Sequence, residues 1–529
     1  MKKRRMSLVV KLVCFAIFLV AVILPLIRML ANLSDTSISA VIGSPRFALA
    51  LGNSFLASGT ATVISIGIAW LLAWCVTRSG IKFKRLWIIL FTLPMLIPSI
   101  SHGMGLIVLF GANGVITNLL HLQGNIYGFS GIVVGSVMYS FPVAFLMISD
   151  VLRYEDSTPY EAAAVLGIPP KNRFLAITVP YMRKPMIAAV FTVFTLIVTD
   201  YGVPLMVGGQ YITLPVMMYQ DVIGLLDFGK GSVIGLVLLV PALVAFIIDL
   251  LNRDKGNASY VIKPFVLGKR RGRDICAYVL SVCAVLGVLL PIVSFILLTF
   301  VVHYPNNMSL TLANIFRAFD MKAGVFLFNS VLIAFMVAAV GITVAFTVAY
   351  LTARMPGRFS KALHLMSITS LAIPGLVLGL SYVLFFKGSP LYGTLAILVL
   401  VNLMHFFSSP YLMIYNTLSK LNENLEAVGD TLGIKRIFII FGVLIPQSRL
   451  TLMEMFTYFF VNSMMTISAV SFLATSATRP ISLMIPSFEK TMMLESAAFV
   501  SLLILVVNLS MSAIMGLIKR FASKRVEAA

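Results

Sequence analysis

A carboxylate set among alanines is the arrangement in this sequence with the clearest use. Glu161-Ala-Ala-Ala-Val-Leu-Gly167 is followed, after nine residues, by Ile177-Thr-Val-Pro180. Three alanines favour a helix, Pro159 suits a first helical position, and Thr158 and Glu161 have the spacing of a capping box. Gly167 can end such a helix in a left-handed turn. The pattern predicts a surface helix of about two turns, too short to be stable alone. One carboxylate on such a helix makes and breaks no bonds; it offers a partner a charged handle on a short peg. A looser copy reads Glu426-Ala-Val-Gly-Asp-Thr-Leu-Gly433, followed by Val443, Ile445 and Pro446. Its glutamate sits one residue early relative to the glycine, and Gly429 replaces an alanine.

Other candidates offer less. Gly224-Leu-Leu-Asp-Phe-Gly-Lys-Gly231 has the spacing of a phosphate-binding loop, but Gly231 stands where Ser or Thr is needed and no soluble strand precedes it. Val207-Gly-Gly-Gln210 echoes an ATPase signature in the same external loop. The chain is therefore expected to hydrolyse no ATP itself and to have no catalytic residue. Cys14, Cys75, Cys276 and Cys283 form no CxxC pair, and the last two are too far apart on one helix to bridge. They read as small apolar side chains, and no metal-ligand set is expected. Asp200, at the outer end of an apolar run, and Pro98 and Pro374, inside two others, are candidate pathway residues. Such prolines break helices and free carbonyls, which is tolerated beside a cavity or a protein neighbour. His102, His405, Glu454 and Asn462 lie in or near apolar runs, where polar groups cost free energy and often face an interior. Packing explains each of these residues equally well.

The elements that must position these residues are membrane spans. Of 529 residues 60% are hydrophobic and 11% charged, with a mean hydropathy of +1.01; a soluble chain carries about a quarter charged residues. Runs of about 20 apolar residues cross a hydrocarbon core and must be helical to satisfy their own backbone. Twelve spans are predicted near 11–33, 54–77, 86–110, 131–152, 186–206, 231–251, 275–301, 325–352, 364–386, 394–415, 450–474 and 496–518. Met1-Lys-Lys-Arg-Arg5 resembles the start of a signal peptide, but the apolar run continues to about Leu33 without a small-x-small cleavage site, so it reads as an uncleaved first span. Alternate loops, beginning with the amino terminus, hold 32 Lys and Arg against seven in the others, which predicts cytoplasmic termini. A net charge of +21 scattered over short loops excludes a nucleic-acid surface, which gathers its charge on one soluble domain.

The halves repeat. Asn53-Ser and Asn329-Ser begin the second and eighth spans 276 residues apart, and Pro98 and Gly103 match Pro374 and Gly379 at the same offset. Phe141-Pro142 and Ser409-Pro410 follow at 268, and Gly167 and Pro180 match Gly433 and Pro446 at 266. The expected fold is an all-α membrane protein of twelve transmembrane helices in two parallel six-helix repeats, which suits a central pathway. The expected divisions are a first half at 1–252, a linker at 253–274 and a second half at 275–529. The linker region holds Arg253, Lys255, Lys263, Lys269, Arg270, Arg271 and Arg273. It reads as a cytoplasmic connector, with contact to anionic lipid as the alternative.

The motif Glu-Ala-Ala, three residues, Gly, nine residues, Ile-x-x-Pro resembles the loop that marks permeases of binding-protein-dependent ABC importers. The match is complete at Glu161, Ala162, Ala163, Gly167, Ile177 and Pro180. With Glu426, Ala427, Gly433, Ile445 and Pro446 in the second copy, the resemblance covers nearly the whole chain and fits the fused permeases of the type I class. It implies that both loops form coupling helices docked in an ATPase subunit. The implied partners are two copies of that ABC ATPase at the cytoplasmic face, an extracytoplasmic solute-binding protein and the lipid bilayer, with no nucleic acid. No cofactor is implied for this chain; ATP and Mg belong to the partner ATPase. The implied location is the inner, cytoplasmic membrane of a prokaryote. Ferric-iron, thiamine and 2-aminoethylphosphonate importers use such fused chains. The stretch Thr199-Asp-Tyr-Gly-Val-Pro204, with Gly208-Gly-Gln-Tyr211 and Tyr219-Gln-Asp-Val-Ile223, is most similar to the aminoethylphosphonate type. An ion-driven secondary transporter is the rival reading, but it would want more charge within spans and would leave the paired loops without a purpose. A membrane-embedded enzyme would need a site that the sequence does not offer.

Overall fold

Apolar runs of this length can satisfy their own backbone in lipid only as helices, and helices are what they form. The computed structural model describes residues 2–33, 37–121, 125–252, 263, 265 and 270–527. Among the described residues nine helices are long and apolar enough to cross a membrane: Val9–Ala31, Pro45–Arg78, Ser99–Leu119, Phe129–Arg153, Pro170–Val198, Phe228–Ile248, Arg271–Thr299, Ala323–Arg354 and Leu494–Ala522. Three bent pairs pass the same test jointly: Arg358–Ala372 with Gly375–Phe386, Leu395–Phe406 with Ser408–Lys420, and Arg436–Gln447 with Arg449–Met465. Counting each pair as one span gives twelve, in the predicted order. Most of the linker lies outside the described residues, which include only 263, 265 and 270–274 of it. A two-stranded hairpin, Val301–His303 with Asn307–Leu310, is a small departure from an all-α chain.

The third and ninth spans, predicted at 86–110 and 364–386, are broken at the prolines expected to interrupt them. Residues before proline are pushed out of the helical region. Ile97 (φ −123°, ψ 150°) and Ile373 (φ −111°, ψ 111°) are accordingly extended, and Pro98 and Pro374 then cap new helices. In the ninth span the two pieces meet at 109°. Close approach explains the glycines that follow. A Cβ on Gly103 would lie 2.7 Å from the Met206 Cβ, and one on Gly379 would lie 2.7 Å from the Ala469 carbonyl oxygen. The fifth and eleventh spans start earlier than the predicted 186 and 450, because Ile177–Pro180 and Val443–Pro446 are already helical. Each passes through a wide turn, Phe174–Thr178 and Ile440–Leu444, just before the proline that lacks an N–H to donate.

The repeated Asn-Ser pairs have matching jobs. Asn53 Nδ2 donates to the Ile212 carbonyl (3.0 Å), and Ser54 Oγ accepts from Leu214 N (2.8 Å). Asn329 Nδ2 donates to the Ala477 carbonyl (2.9 Å), and Ser330 Oγ accepts from Ile481 N (2.8 Å). In each half, then, the start of one span pins the segment that follows the fifth or eleventh.

The chain packs as two compact units, each assembled from separated stretches. One comprises Ile42–Met217 and Val240–Asn314; the other comprises Met1–Val41, Met218–Leu239 and Ile315–Ala529. Each unit therefore contains the first span of the other sequence half. In the former, Asp274 accepts from Gly80 N (2.8 Å) and the Tyr278 hydroxyl from Lys82 N (2.8 Å). In the latter, Tyr382 donates to the Ala21 carbonyl (2.7 Å), and Phe18 meets Phe407 edge-on at 4.9 Å. Lys11 there donates to the Met355 carbonyl (2.9 Å) and to Ser360 Oγ (2.8 Å). The sequence division at 1–252 and 275–529 follows the repeat, whereas the packing exchanges the first spans.

Candidate functional site

The first loop, between the fourth and fifth spans, contains the short helix Thr158–Val165. Its start is arranged differently from the Thr158–Glu161 capping box. Asp156 Oδ1 accepts from Thr158 N (3.1 Å) and Thr158 Oγ1 (2.9 Å), and Ser157 Oγ donates to Glu161 Oε1 (3.1 Å). The turn begins one residue earlier, because Asp156 takes the free Thr158 N–H and hydroxyl. Gly167 follows with φ +68°, where Ile168 N reaches the Ala163 carbonyl at 3.0 Å. That is the left-handed C-terminal turn the glycine predicted.

Beneath this helix lies a polar cluster. Arg78, from the end of the second span, forms a buried ion pair with Glu155. The Tyr160 hydroxyl donates to Glu155 Oε1 (2.5 Å) and shares a hydrogen bond with Thr178. Burial, then the bond to Glu155, pushes the Tyr160 phenol up, so it stays protonated and donates. Glu161 points outward. Its Oε2 accepts from Lys263 Nζ (2.6 Å), and that bond, then the one from Ser157, holds its carboxyl below the usual glutamate range. The Thr158 N–H, chiefly, does the same for Asp156.

The second loop, between the tenth and eleventh spans, contains the helix Leu425–Thr431. Gly433 has φ +70°, and Ile434 N reaches the Gly429 carbonyl at 2.8 Å. Leu432 N bonds the Val428 carbonyl at 3.1 Å, as Leu166 N bonds the Ala162 carbonyl at 3.1 Å. The C-terminal turn of the second loop's helix thus repeats that of the first at an offset of 266 residues, while the helix starts are bonded differently. In that register Ala427 corresponds to Glu161, and Glu426 corresponds to Tyr160. Glu426 faces inward to Arg354, accepting from Nε at 2.9 Å and from a terminal nitrogen at 2.5 Å. Arg354 also donates to the Leu421 (2.9 Å) and Asn422 (2.6 Å) carbonyls. Gly429 is explained by packing: a Cβ there would lie 2.2 Å from Ile439 Cδ1. Both loops present apolar tips, with Leu166 76% and Leu432 69% exposed.

Two such helices, each closed by a left-handed glycine and each exposing a leucine, suit docking rather than catalysis. A family profile described as "Binding-protein-dependent transport system inner membrane component" matches residues 65–254 and again 345–524. The chain belongs to that family. It carries the domain twice, so it is a fused member, and each matched segment contains one of the loops. Its relatives include the ferric transport system permease protein FbpB of Actinobacillus pleuropneumoniae, 25% identical over 83% of this chain and 66% of that protein. The putative ferric transport system permease protein FbpB 1 of Haemophilus influenzae is 26% identical over 81% of this chain and 70% of its own length. The thiamine transport system permease protein ThiP of Brucella abortus is 28% identical over 31% of each chain. The permease thus spans about two thirds of the length of the ferric relatives it matches.

The permease's candidate pathway residues fall into two places. Asp200 accepts from Ser99 Oγ (2.6 Å) and from Gly202 N (3.3 Å) through one oxygen, and from Val203 N (3.0 Å) through the other. It ties the end of the fifth span to the helix that Pro98 begins, and it borders a small pocket with Ser54, Ser58 and Thr213. Pro374 lies in the other unit, where a Cβ on Gly375 would meet Ser468 Oγ at 2.3 Å. The phosphate-loop look-alike is a helix start, with Asp227 accepting from Lys230 N (2.9 Å) and pairing with its amine (3.2 Å). His102 faces the Pro94 carbonyl (3.2 Å), Asn462 donates back to Tyr458 (2.7 Å), and Glu454 pairs with Lys519. Sequence reasoning missed Arg78, Glu155 and Tyr160, and it missed Arg354, Lys263 and Phe265. Arg78 and Arg354 carried a signal, since they stand 276 apart like Asn53 and Asn329.

Proposed function

We propose that this chain is the permease subunit of an ATP-driven ABC importer. The observation that carries the reading is the pair of short helices whose C-terminal turns repeat at an offset of 266, each ending in a left-handed glycine and exposing a leucine. Each helix is the docking point for one copy of an ABC ATPase on the cytoplasmic side, where the Lys and Arg bias also places both termini. Glu161, Ala162, Ala163, Gly167, Ile177 and Pro180 form one coupling loop; Glu426, Ala427, Gly433, Ile445 and Pro446 form the other. ATP and Mg are held by the partner ATPase, which binds one arrangement of the permease better than the other and so shifts it between inward-open and outward-open forms. An extracytoplasmic binding protein delivers the solute.

Ferric iron is the cargo that the relatives favour, because the two ferric permeases align over most of the chain and the thiamine permease over under a third. The second reading is 2-aminoethylphosphonate, which rests on the stretch from Thr199 to Ile223. Much of that stretch serves the fold: Tyr201, Val203 and Val207 are fully buried, and Asp200 caps a helix. Uptake of labelled ferric iron and of labelled 2-aminoethylphosphonate in cells with and without the gene separates the two. Loss of iron uptake alone is expected; loss of phosphonate uptake alone reverses the order. Glu161→Arg is expected to abolish co-purification of the ATPase while the permease still inserts. Normal ATPase assembly and normal uptake in that variant would sink the importer reading.

A further inference from the structure

The linker between the halves touches the first coupling loop at two described residues. Lys263 is bonded to its start, its carbonyl accepting from Ser157 N (2.9 Å) and its N–H reaching the Asp156 side chain at Oδ1 (3.2 Å). Its amine then takes Glu161. Two residues on, Phe265 lies over the Arg78 guanidinium, 3.4 Å from the ring centroid, and meets the Tyr160 ring edge-on at 4.9 Å. The ring therefore covers the buried Arg78–Glu155–Tyr160 cluster, where a cation–π contact shielded from water is strongest.

The second loop has a different solution to the same problem. Arg354 there is satisfied by Glu426 and by the Leu421 and Asn422 carbonyls, all from its own half. Arg78 spends its charge on Glu155, which leaves Glu161 to be neutralised from outside the loop. Lys263 supplies that charge, and Phe265 supplies the cover.

We infer that the linker is a working part of the first coupling loop: Phe265 and Lys263 are positioning residues that hold the helix Thr158–Val165 in the orientation its ATPase partner meets. The inference rests on reading the loops as docking points. A fusion that served only to tether two halves would need no residue of the linker on the loop. Here the linker is bonded to the helix start through backbone and side chain and stacked on the arginine beneath it.

The test uses the full chain assembled with its ATPase and binding protein in proteoliposomes, reading ATPase co-purification, ATP hydrolysis and labelled ferric-iron uptake. Phe265→Ala is expected to lower uptake per ATP hydrolysed by about tenfold, the order set by losing a shielded cation–π contact. Phe265→Trp, which keeps the contact, is expected to restore most of it. Lys263→Ala should give a smaller loss, of about two- to threefold, because its ion pair with Glu161 is exposed, and Lys263→Arg should recover it. The clamp is overturned if Phe265→Ala leaves uptake per ATP unchanged, or if it lowers only the amount of folded protein. Failure of the unaltered permease to retain any ATPase would overturn the docking reading itself and the clamp with it.

Discussion

The helix Thr158–Val165 rests on an arginine that its glutamate does not touch, while the helix Leu425–Thr431 is gripped by an arginine through its own glutamate. Both arginines end a long span of their half, 276 residues apart, and both are buried beneath a loop. Between the halves the C-terminal turn has been kept and the side-chain support exchanged. Where the second loop places Glu426, the first places Tyr160 and reaches its arginine through Glu155. The displaced carboxylate, Glu161, faces out. The one-residue slip of the glutamate between the two copies is therefore a change of partner at fixed backbone register, not a shifted helix.

The arginines give the largest way to break this comparison. Arg78→Ala strands Glu155, whose side chain is 3% exposed, and removing one partner of a buried pair costs about 3–5 kcal/mol. Arg354→Ala strands Glu426, which is 13% exposed and nearer to water, so its cost is smaller, about 2–3 kcal/mol. Thermal unfolding of the solubilised permease should show the greater drop for Arg78→Ala. The reverse order would mean that the Tyr160–Glu155 relay is not what holds the first loop.

Next comes the residue where the loops differ in size. Gly429→Ala drives a methyl to 2.2 Å from Ile439 Cδ1, an overpacking cost of about 1–3 kcal/mol. Ile439→Val deletes that atom, so the double variant should recover most of the loss. The converse change, Ala163→Gly, creates no clash, but it removes a buried methyl as well as helix propensity and should cost about 1–2 kcal/mol. Co-purification of the ATPase at rising salt reads both. Absence of rescue by Ile439→Val would show that Gly429 is needed for something other than space.

How much of this was legible depends on how local the physics is. Span order could be read because run length is a property of short windows. The left-handed turns at Gly167 and Gly433 could be read because few other residues accept that φ. Pro98 and Pro374 were legible as breaks, but the extended Ile97 and Ile373 that turn a kink into a sharp bend follow from a rule about the preceding residue that the apolar pattern masked. The exchange of first spans left no local trace: Lys11 meets Met355 across 344 positions of sequence. Lys263 and Phe265 have no counterpart in the repeat and sit in a basic stretch whose charge suggested only sidedness.

Gly167→Ala and Gly433→Ala sharpen the comparison by predicting no difference. An added Cβ meets nothing within 4 Å at either position, so the whole cost is the left-handed backbone, about 1–2 kcal/mol in each loop. Equal losses of ATPase retention are expected. A larger loss at Gly167 would mean that the linker clamp makes the first turn less able to relax than the second.

The smallest effect is one of pH. The Glu161 carboxyl is held below its ordinary range, by Lys263 first and Ser157 second. A depressed carboxyl contributes its stabilisation above the unfolded value, which for glutamate is about 4.3, and loses it as pH falls through the lower folded value. Linker docking should therefore be flat from about pH 8 to pH 5, and should loosen only below about pH 4. The tryptophan of Phe265→Trp, set against Arg78 and Tyr160, reports it: its emission should hold still over the upper range and move to the red only in acid. In Glu161→Gln the acid shift should shrink to the part carried by Asp156, whose carboxylate accepts from Lys263 N–H and is also held below its ordinary range, and Asp156→Asn added to it should abolish the shift. A shift centred near neutral pH in both would point to another titrating group and would detach Lys263 from Glu161 as the outer fastening of the first loop.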